Sequence, residues 1–254
     1  MNDIHIDKDG PVTTISIDRA HAKNALDGAT VRALRAAFNT FDADESAAVA
    51  VLYGMHGSFC AGADLKEMAD GANYEPWAGS GEGMLGAPMN KPMIGAVSGH
   101  AVAGGLGLAL YCDIRIADPS AIFGVFCRRF GVPMSDGTTV RLPRLIGEAR
   151  ALDMMLTGRA VDAHEAAAIG LVREVVASAD LLAHAQALAL QISQFPPLAM
   201  RSDRRSLLES RGLELDAALH NEAYLAADAK RVEAAAGAAR FSAGKGRHGR
   251  VEDT

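Results

Sequence analysis

Apolar positions along the chain follow two rhythms. Short apolar runs and alternation dominate the first half, and helical spacing dominates from Thr138 onward. His5 to Asp18 reads as a β-hairpin turning at Asp9-Gly10, with Val12, Ile15 and Ile17 in its second arm. Val31, Leu34, Phe38 and Phe41 then recur at helical spacing behind Asp27 or Thr30 as N-cap. Ala47 to Tyr53, bounded by Gly54, reads as a buried strand, and a small-residue loop follows that ends in a short helix starting near Asp64. Met93 to Val97 predicts a strand, Gly104 to Tyr111 the start of a helix, and Asp113 to Ala117 and Ala121 to Val125 two further strands. Helical patterns follow at Thr138 to Leu145, 147–157 and 162–169. A short strand is predicted at Leu171 to Val176, and Ala-rich helices from Ala179 to Ala236. A helical layer without strands of its own must bury its apolar stripe on the first half, on another subunit, or on both.

Between these elements, residues 70–90 are rich in Gly, Pro and small polar residues, which reads as a mobile loop over a site or a plain connector. Pro92 to Cys112 carries no Asp, Glu, Lys or Arg, but Ser98, His100 and five glycines interrupt it. A strand, a tight turn and a helix therefore explain it better than a membrane span.

Composition narrows the class. The 254 residues, at roughly 150 per domain, allow one large domain or two modest ones. Hydrophobic residues make up 49% and charged residues 22%, which suits a globular chain with a substantial core. The net charge of −6 supplies no general attraction to nucleic acid or anionic membrane. Cys60, Cys112 and Cys127 form neither a CxxC pair nor an even set, so a reducing, cytoplasmic setting fits, and MNDIHIDKDG shows no secretory leader pattern.

Several chemistries fall away on motif grounds. HEAAA at His164 lacks the second histidine of a zinc-binding helix, and no metal site is expected. No GxSxG or GxxxxGK[ST] is present, and GGLGLAL has Leu110 where a dinucleotide fingerprint needs its third glycine. Two Gly/Ala-rich corners remain, Phe59 to Asp64 and Ala101 to Leu106, each running into a predicted helix start. Small side chains there would let a ligand approach unpaired backbone N–H groups. Two such corners converging would offer two donors to one carbonyl oxygen, an oxyanion hole; packed separately, they would be ordinary tight turns.

SFCAGADLKEM (Ser58 to Met68), KPMIGAVSGHAVAGGLGLALYCDIRIAD (Lys91 to Asp118), FGVFCRRFGVP (Phe123 to Pro133) and RLPRLIGEARALDMMLTGRAVDAHEAAAIGLV (Arg141 to Val172), with IDRAHAKNAL before them, resemble the enoyl-CoA hydratase/isomerase, or crotonase, superfamily. The resemblance implies an α/β fold: a ββα spiral core over residues 1–195, followed by a C-terminal helical trimerisation region and tail over 196–254. It also implies a homotrimer or dimer of trimers, and an acyl-CoA thioester substrate in which coenzyme A is part of the substrate and no separate cofactor is needed. The thioester enolate would be held by the N–H groups of Ala63 and Gly104. The CoA adenine would lie near Lys23, Ala25 and Ala61, beside Asp64, and Lys23 or Lys66 would meet a CoA phosphate.

The departures from that family pattern bear on the reaction. Gly107 and Cys127 stand where two-glutamate hydratases carry their catalytic carboxylates. Asp136 offers a replacement acid or base, although Ser135 lies nearer the isomerase position, and Asp136 could also cap the helix from Thr138. Cys127 could act as a nucleophile or acid if Arg128 or Arg129 lowered its pKa, or be a small buried residue. An inward Arg128 or Arg129 would favour a substrate with a second carboxylate, whereas His100 is expected to point away from the site. The tail Lys245, Arg247, His248 and Arg250 reads as a solvated end or as a cover for a CoA phosphate. Three functions stay open: an acyl-CoA enzyme in which hydration, isomerisation or C–C or thioester hydrolysis proceeds over the two donors; a non-catalytic CoA binder or scaffold; and an enzyme of non-CoA β-diketones.

Overall fold

The computed structural model describes residues 3–71, 76–79 and 83–245. Strands β1 (Ile4–Asp9) and β2 (Val12–Ile17) form the predicted hairpin, but Asp9 pairs with Val12, so the turn is Gly10-Pro11. Gly10 takes the positive φ that the turn requires, and Pro11, with no N–H to donate, leaves the second arm to start at Val12. Helix α1 (Gly28–Ala43) follows, capped as expected by Asp27, whose side chain accepts from Thr30 N–H and adds about 1 kcal/mol of stability by that bond. Its inward face is Thr30, Leu34, Ala37, Phe38 and Phe41.

Strand β3 (Val49–Gly54) comes next, and the short helix α2 (Leu65–Ala69) is capped by Asp64. Beyond lie β4 (Met93–Val97), β5 (His100–Val102), α3 (Gly104–Tyr111), β6 (Ile114–Ala117) and β7 (Ile122–Gly124). A 3₁₀ turn at Phe126–Phe130 leads to α4 (Thr138–Ile146) and α5 (Glu148–Thr157). Then come β8 (Val161–Asp162), α6 (Ala163–Ala168), β9 (Glu174–Val175) and the helices α7 (Leu181–Ser193), α8 (Pro197–Glu209) and α9 (Leu215–Ala229). A π-helical turn at Lys230–Ala234 joins α9 to α10 (Ala235–Ser242), extending the last helical run beyond the Ala236 end that its Ala-rich pattern suggested. The strands β5 and β8 escape prediction because they are too short to show a period of two, and only Glu174–Val175 of the Leu171 to Val176 run pairs as a strand.

The main sheet has the order β1-β2-β3-β4-β6-β9, parallel except for the hairpin, and β5, β7 and β8 form a second, smaller sheet. Alternation along β3 and β4 explains why both faces of the main sheet are dry. Ala50, Leu52, Met93 and Val97 face the larger core with α1 and α3, while Val49, Val51, Ile94 and Ala96 face α7. Helix α7 lies close to the sheet on Leu181, Ala185 and Ala189, two of them small enough to bring backbone near backbone. Thus the helical second half does bury a stripe on the first, through α7. Among the described residues no helix is long and apolar enough to cross a membrane, and Pro92 to Cys112 forms the expected strand β4 and helix α3, with the short strand β5 between them.

Candidate active site

The two glycine-rich corners are neighbours. Cys60 pairs with Ala101 as a parallel bridge, Cys60 N–H donating to His100 O at 2.7 Å and Val102 N–H to Cys60 O at 3.2 Å. Ala63 and Gly104 each lie three residues beyond these partners, so the segments turn away from the small sheet in step. A Cβ placed on Gly62 would lie 3.0 Å from Gly104 N and 3.0 Å from the Ala103 Cβ. Gly105 sits beneath Cys60, where a Cβ would meet the Cys60 carbonyl oxygen at 1.9 Å. Both glycines are therefore demanded by contact, and Gly62 also by its φ of +99°.

Each donor is presented by a different device. Ala63 is bridged to Leu26: Leu26 N–H donates to Gly62 O and Asp64 N–H to Leu26 O, leaving Ala63 N–H on the opposite edge. Gly104 is the first residue of α3, preceded by Ala103 at φ 52°, ψ −126°, a left-handed conformation costing a non-glycine residue of order 1–3 kcal/mol. Neither Ala63 N–H nor Gly104 N–H has an acceptor among the described residues. At the far end of α3, the buried Arg115 donates to Ala109 O and Cys112 O, covering carbonyls that the helix end leaves unpaired, and ties them to Leu171 O beyond α6.

A cavity of about 80 Å³ opens beside the corners, lined by Ala63, Ala103 and Gly104 on one side and by Phe126, Cys127, Met134 and Asp136 on the other. Asp136 is 2% exposed. Its carboxyl group fills the space above Gly107: a Cβ on Gly107 would lie 2.4 Å from Asp136 Cγ and 2.6 Å from Oδ2. Burial raises the Asp136 pKa above the ordinary carboxylate range, with the Thr138 N–H bond and Arg141 opposing the rise. Asp136 thus accepts from Thr138 N–H at the start of α4, whose N-cap residue is Gly137, and also lines the cavity. Arg141 steadies it from behind, donating to Asp136 O at 3.0 Å and Leu85 O at 2.5 Å.

The cysteine reading needs correction. Burial raises the Cys127 thiol, and its Sγ lies 3.0 Å from Met134 Sδ. Arg128 and Arg129 are exposed and donate to Met155 O and Gly158 O; the Arg128 charge lowers the Cys127 pKa, but burial and the Asp136 charge outweigh it, and neither arginine lines the cavity. Those carbonyls belong to the last turn of α5, which attracts cations. His100 is absent from the cavity lining.

At the first corner, Ala61, which also lines the cavity, donates its N–H to Lys23 O at 3.1 Å, and Lys23 and Lys66 are exposed. Asp64 is occupied as the α2 cap and faces Arg19 at 3.5 Å. Arg19, 6% exposed, also pairs with Asp27 at 2.6 Å and donates to Ala25 O. Buried Asn24 accepts from Arg19 N–H and donates to Met55 O and Ser58 O. Sequence reasoning missed Arg19, Asn24, Arg141 and Trp77, a lone tryptophan in a small-residue loop being the one visible signal. Of the basic tail, Lys245 is described, whereas Arg247, His248 and Arg250 lie outside the described residues.

The sequence profile of the enoyl-CoA hydratase/isomerase family matches residues 7–245. A probable enoyl-CoA hydratase of Rhizobium meliloti (strain 1021) is 42% identical over 201 residues, 77% of each chain. A short-chain-enoyl-CoA hydratase of Clostridium acetobutylicum is 33% identical over 227 residues, 86% of each. The crystal structure of an enoyl-CoA hydratase from Mycobacterium marinum superposes with a TM-score of 0.90 at 35% identity, covering 95% of this chain and 96% of that one.

Proposed function

The chain belongs to the enoyl-CoA hydratase/isomerase family and has its crotonase fold, and from that premise we propose that it moves the double bond of an enoyl-CoA thioester, with Asp136 as its acid–base group. The observation that carries this reading is the Asp136 carboxyl group seated on Gly107, inside the cavity that opens at Ala63 and Gly104. In this reading the thioester oxygen accepts from Ala63 N–H and Gly104 N–H, and the positive end of the α3 dipole favours the charge that develops there. Asp136 removes a proton from one carbon, the electron pair delocalises onto the thioester oxygen as a dienolate, and the same proton returns to another carbon. One carboxyl group suffices, and no water has to be activated. Hydration by two carboxylates would need a second group, and Gly107 and Cys127 supply none.

CoA would lie along Lys23, Ala25 and Ala61, with Lys66 near a phosphate. Assembly as a trimer or dimer of trimers would use the helices of residues 196–254, where Leu207, Leu215 and Tyr224 stand exposed. The names of the relatives favour a second reading, hydration itself. Both are tested by supplying a 3-enoyl-CoA and crotonyl-CoA and following absorbance of the conjugated thioester. Isomerisation produces that absorbance from the first substrate and leaves the second nearly unchanged. Rapid loss of crotonyl-CoA absorbance without isomerisation would reverse the order of the two readings. No calorimetric binding of CoA or acetoacetyl-CoA at millimolar concentration would remove both.

A further inference from the structure

Arg19 is buried in the loop between β2 and α1 and does not line the cavity, yet its guanidinium reaches both sides of the Leu26–Ala63 bridge. On one side Nη1 donates to Ala25 O and Nη2 to Asp27 Oδ2 at 2.6 Å, the residues before and after Leu26. On the other, Nη2 lies 3.5 Å from Oδ2 of Asp64, the residue after Ala63. Nε faces Asp3 Oδ2 at 3.1 Å. Three carboxylates thus converge on one planar cation, which is held where its fork can meet several acceptors at once.

The turn that delivers Leu26 to this bridge needs such anchoring. Lys23 and Asn24 hold φ of 50° and 58°, left-handed conformations that persist only where neighbours fix them. Arg19 N–H donates to Asn24 Oδ1 at 2.7 Å, and Asn24 passes the connection to Met55 O and Ser58 O at the foot of the first corner. The backbone of Ala63 is in turn framed by Leu26, which donates to Gly62 O at 2.8 Å and accepts from Asp64 N–H at 2.9 Å. The direction of the free Ala63 N–H therefore follows the position in which Leu26 is held.

We propose that Arg19 is a positioning residue, which aims the Ala63 N–H at the thioester oxygen by clamping both sides of the Leu26–Ala63 bridge. The inference rests on the reading above, in which Ala63 and Gly104 hold that oxygen. Arg19 acts through the backbone and touches no reacting atom. An oxyanion donor works only within a few tenths of an ångström of its proper place, so a slackened clamp weakens it without removing it.

The test uses acetoacetyl-CoA, whose loss of an α-proton to solvent leaves a negative charge on the oxygen that faces the two donors. Its ultraviolet absorbance is followed across pH with the ligand saturated by protein, so the result depends neither on affinity nor on which reaction is catalysed. Donors that favour the enolate should make the wild type lower the ligand's apparent pKa below that of free acetoacetyl-CoA. Arg19→Lys keeps the charge but loses the fork, and should return that pKa by about one unit toward the free value, about a tenfold loss of enolate preference. Asp64→Asn keeps an acceptor for Lys66 N–H and loosens only the Ala63 side of the clamp. It should shift the pKa the same way by less, and decides the matter if Arg19→Lys does not fold. Lys91→Met removes a different buried cation, bonded to Phe41 O and Asp44 O at the end of α1, and should leave the ligand's pKa unchanged however far it lowers the melting temperature. The wild-type value in both Arg19→Lys and Asp64→Asn, or an equal shift in Lys91→Met, would overturn the role of Arg19 alone. A wild type that binds acetoacetyl-CoA without lowering its pKa would overturn the oxyanion reading, and this inference with it.

Discussion

Gly107 and Asp136 share one volume: the position a Cβ would take on Gly107 is 2.4 Å from Asp136 Cγ and 2.7 Å from its Cβ. A helix that carried a side chain at 107 could not accommodate this aspartate without a shift. The missing carboxylate at 107 and the buried one at 136 are thus a single steric arrangement.

That arrangement predicts a reversal of sign. In a helix interior, Gly→Ala ordinarily stabilises by about 0.5–1 kcal/mol. Gly107→Ala should instead destabilise by about 1–3 kcal/mol, the usual cost of overpacking, and become stabilising in the Asp136→Gly background. Urea denaturation of the two singles and the double measures the coupling. Additive effects would mean that the two sites do not compete for space.

Asp136→Asn separates catalysis from stability. Turnover should fall at least about tenfold with ligand affinity nearly intact, because Asn cannot exchange a proton. Stability should move the other way. The folded-state pKa of Asp136 is raised, so its neutral form stabilises the fold at low pH, and that contribution is lost as pH rises through the raised value. Asn keeps an acceptor for Thr138 N–H and carries no charge. The variant should therefore be more stable than the wild type at pH 7, with the difference shrinking as pH falls toward the ordinary Asp value of 3.8. Denaturation midpoints across pH 3.5–8 check the trend, and a variant less stable at neutral pH would contradict it. As a base, Asp136 must be ionised, so kcat/KM should rise with pH above the usual carboxylate range.

Ala103 holds its φ of 52° without glycine's freedom. Ala103→Gly should stabilise the protein by about 1 kcal/mol, the relief of strain exceeding the added chain entropy, while Ala103→Val should destabilise it. Thermal melts of the two variants should shift in opposite directions.

The three cysteines should resist modification in the native state. Burial pushes Cys60 and Cys112 up to about 12 and raises Cys127. A thiol reagent at pH 8 should label them slowly in the native protein and all at once in denaturant. A single fast thiol in the folded protein would restore the nucleophile reading of Cys127.

Features set by local chemistry were legible in the sequence. Asp27 caps α1 and α2 begins beside Asp64, as their positions implied, because both side chains reach N–H groups two or three residues ahead. The apolar runs at β3 and β4 and the glycine corners at Gly62 and Gly104 are likewise local statements about what the backbone can bury or approach. The hairpin turn was displaced by one residue, because Asp9-Gly10 and Gly10-Pro11 both carry turn chemistry and only strand pairing chooses between them. The orientation of Arg128 and Arg129 was illegible for a related reason: the last turn of α5 that draws them outward lies in a later segment.

By itself, then, the sequence determined the family, the order of elements and the two backbone corners, since each depends on residues adjacent in the chain or on a spaced set of motifs. The tertiary structure alone decided that Asp136 fills the place above Gly107 and that Trp77 fills the place above Gly104. Both are contacts between distant segments, made because two glycines one helical turn apart leave a groove along α3 that other parts of the chain must fill.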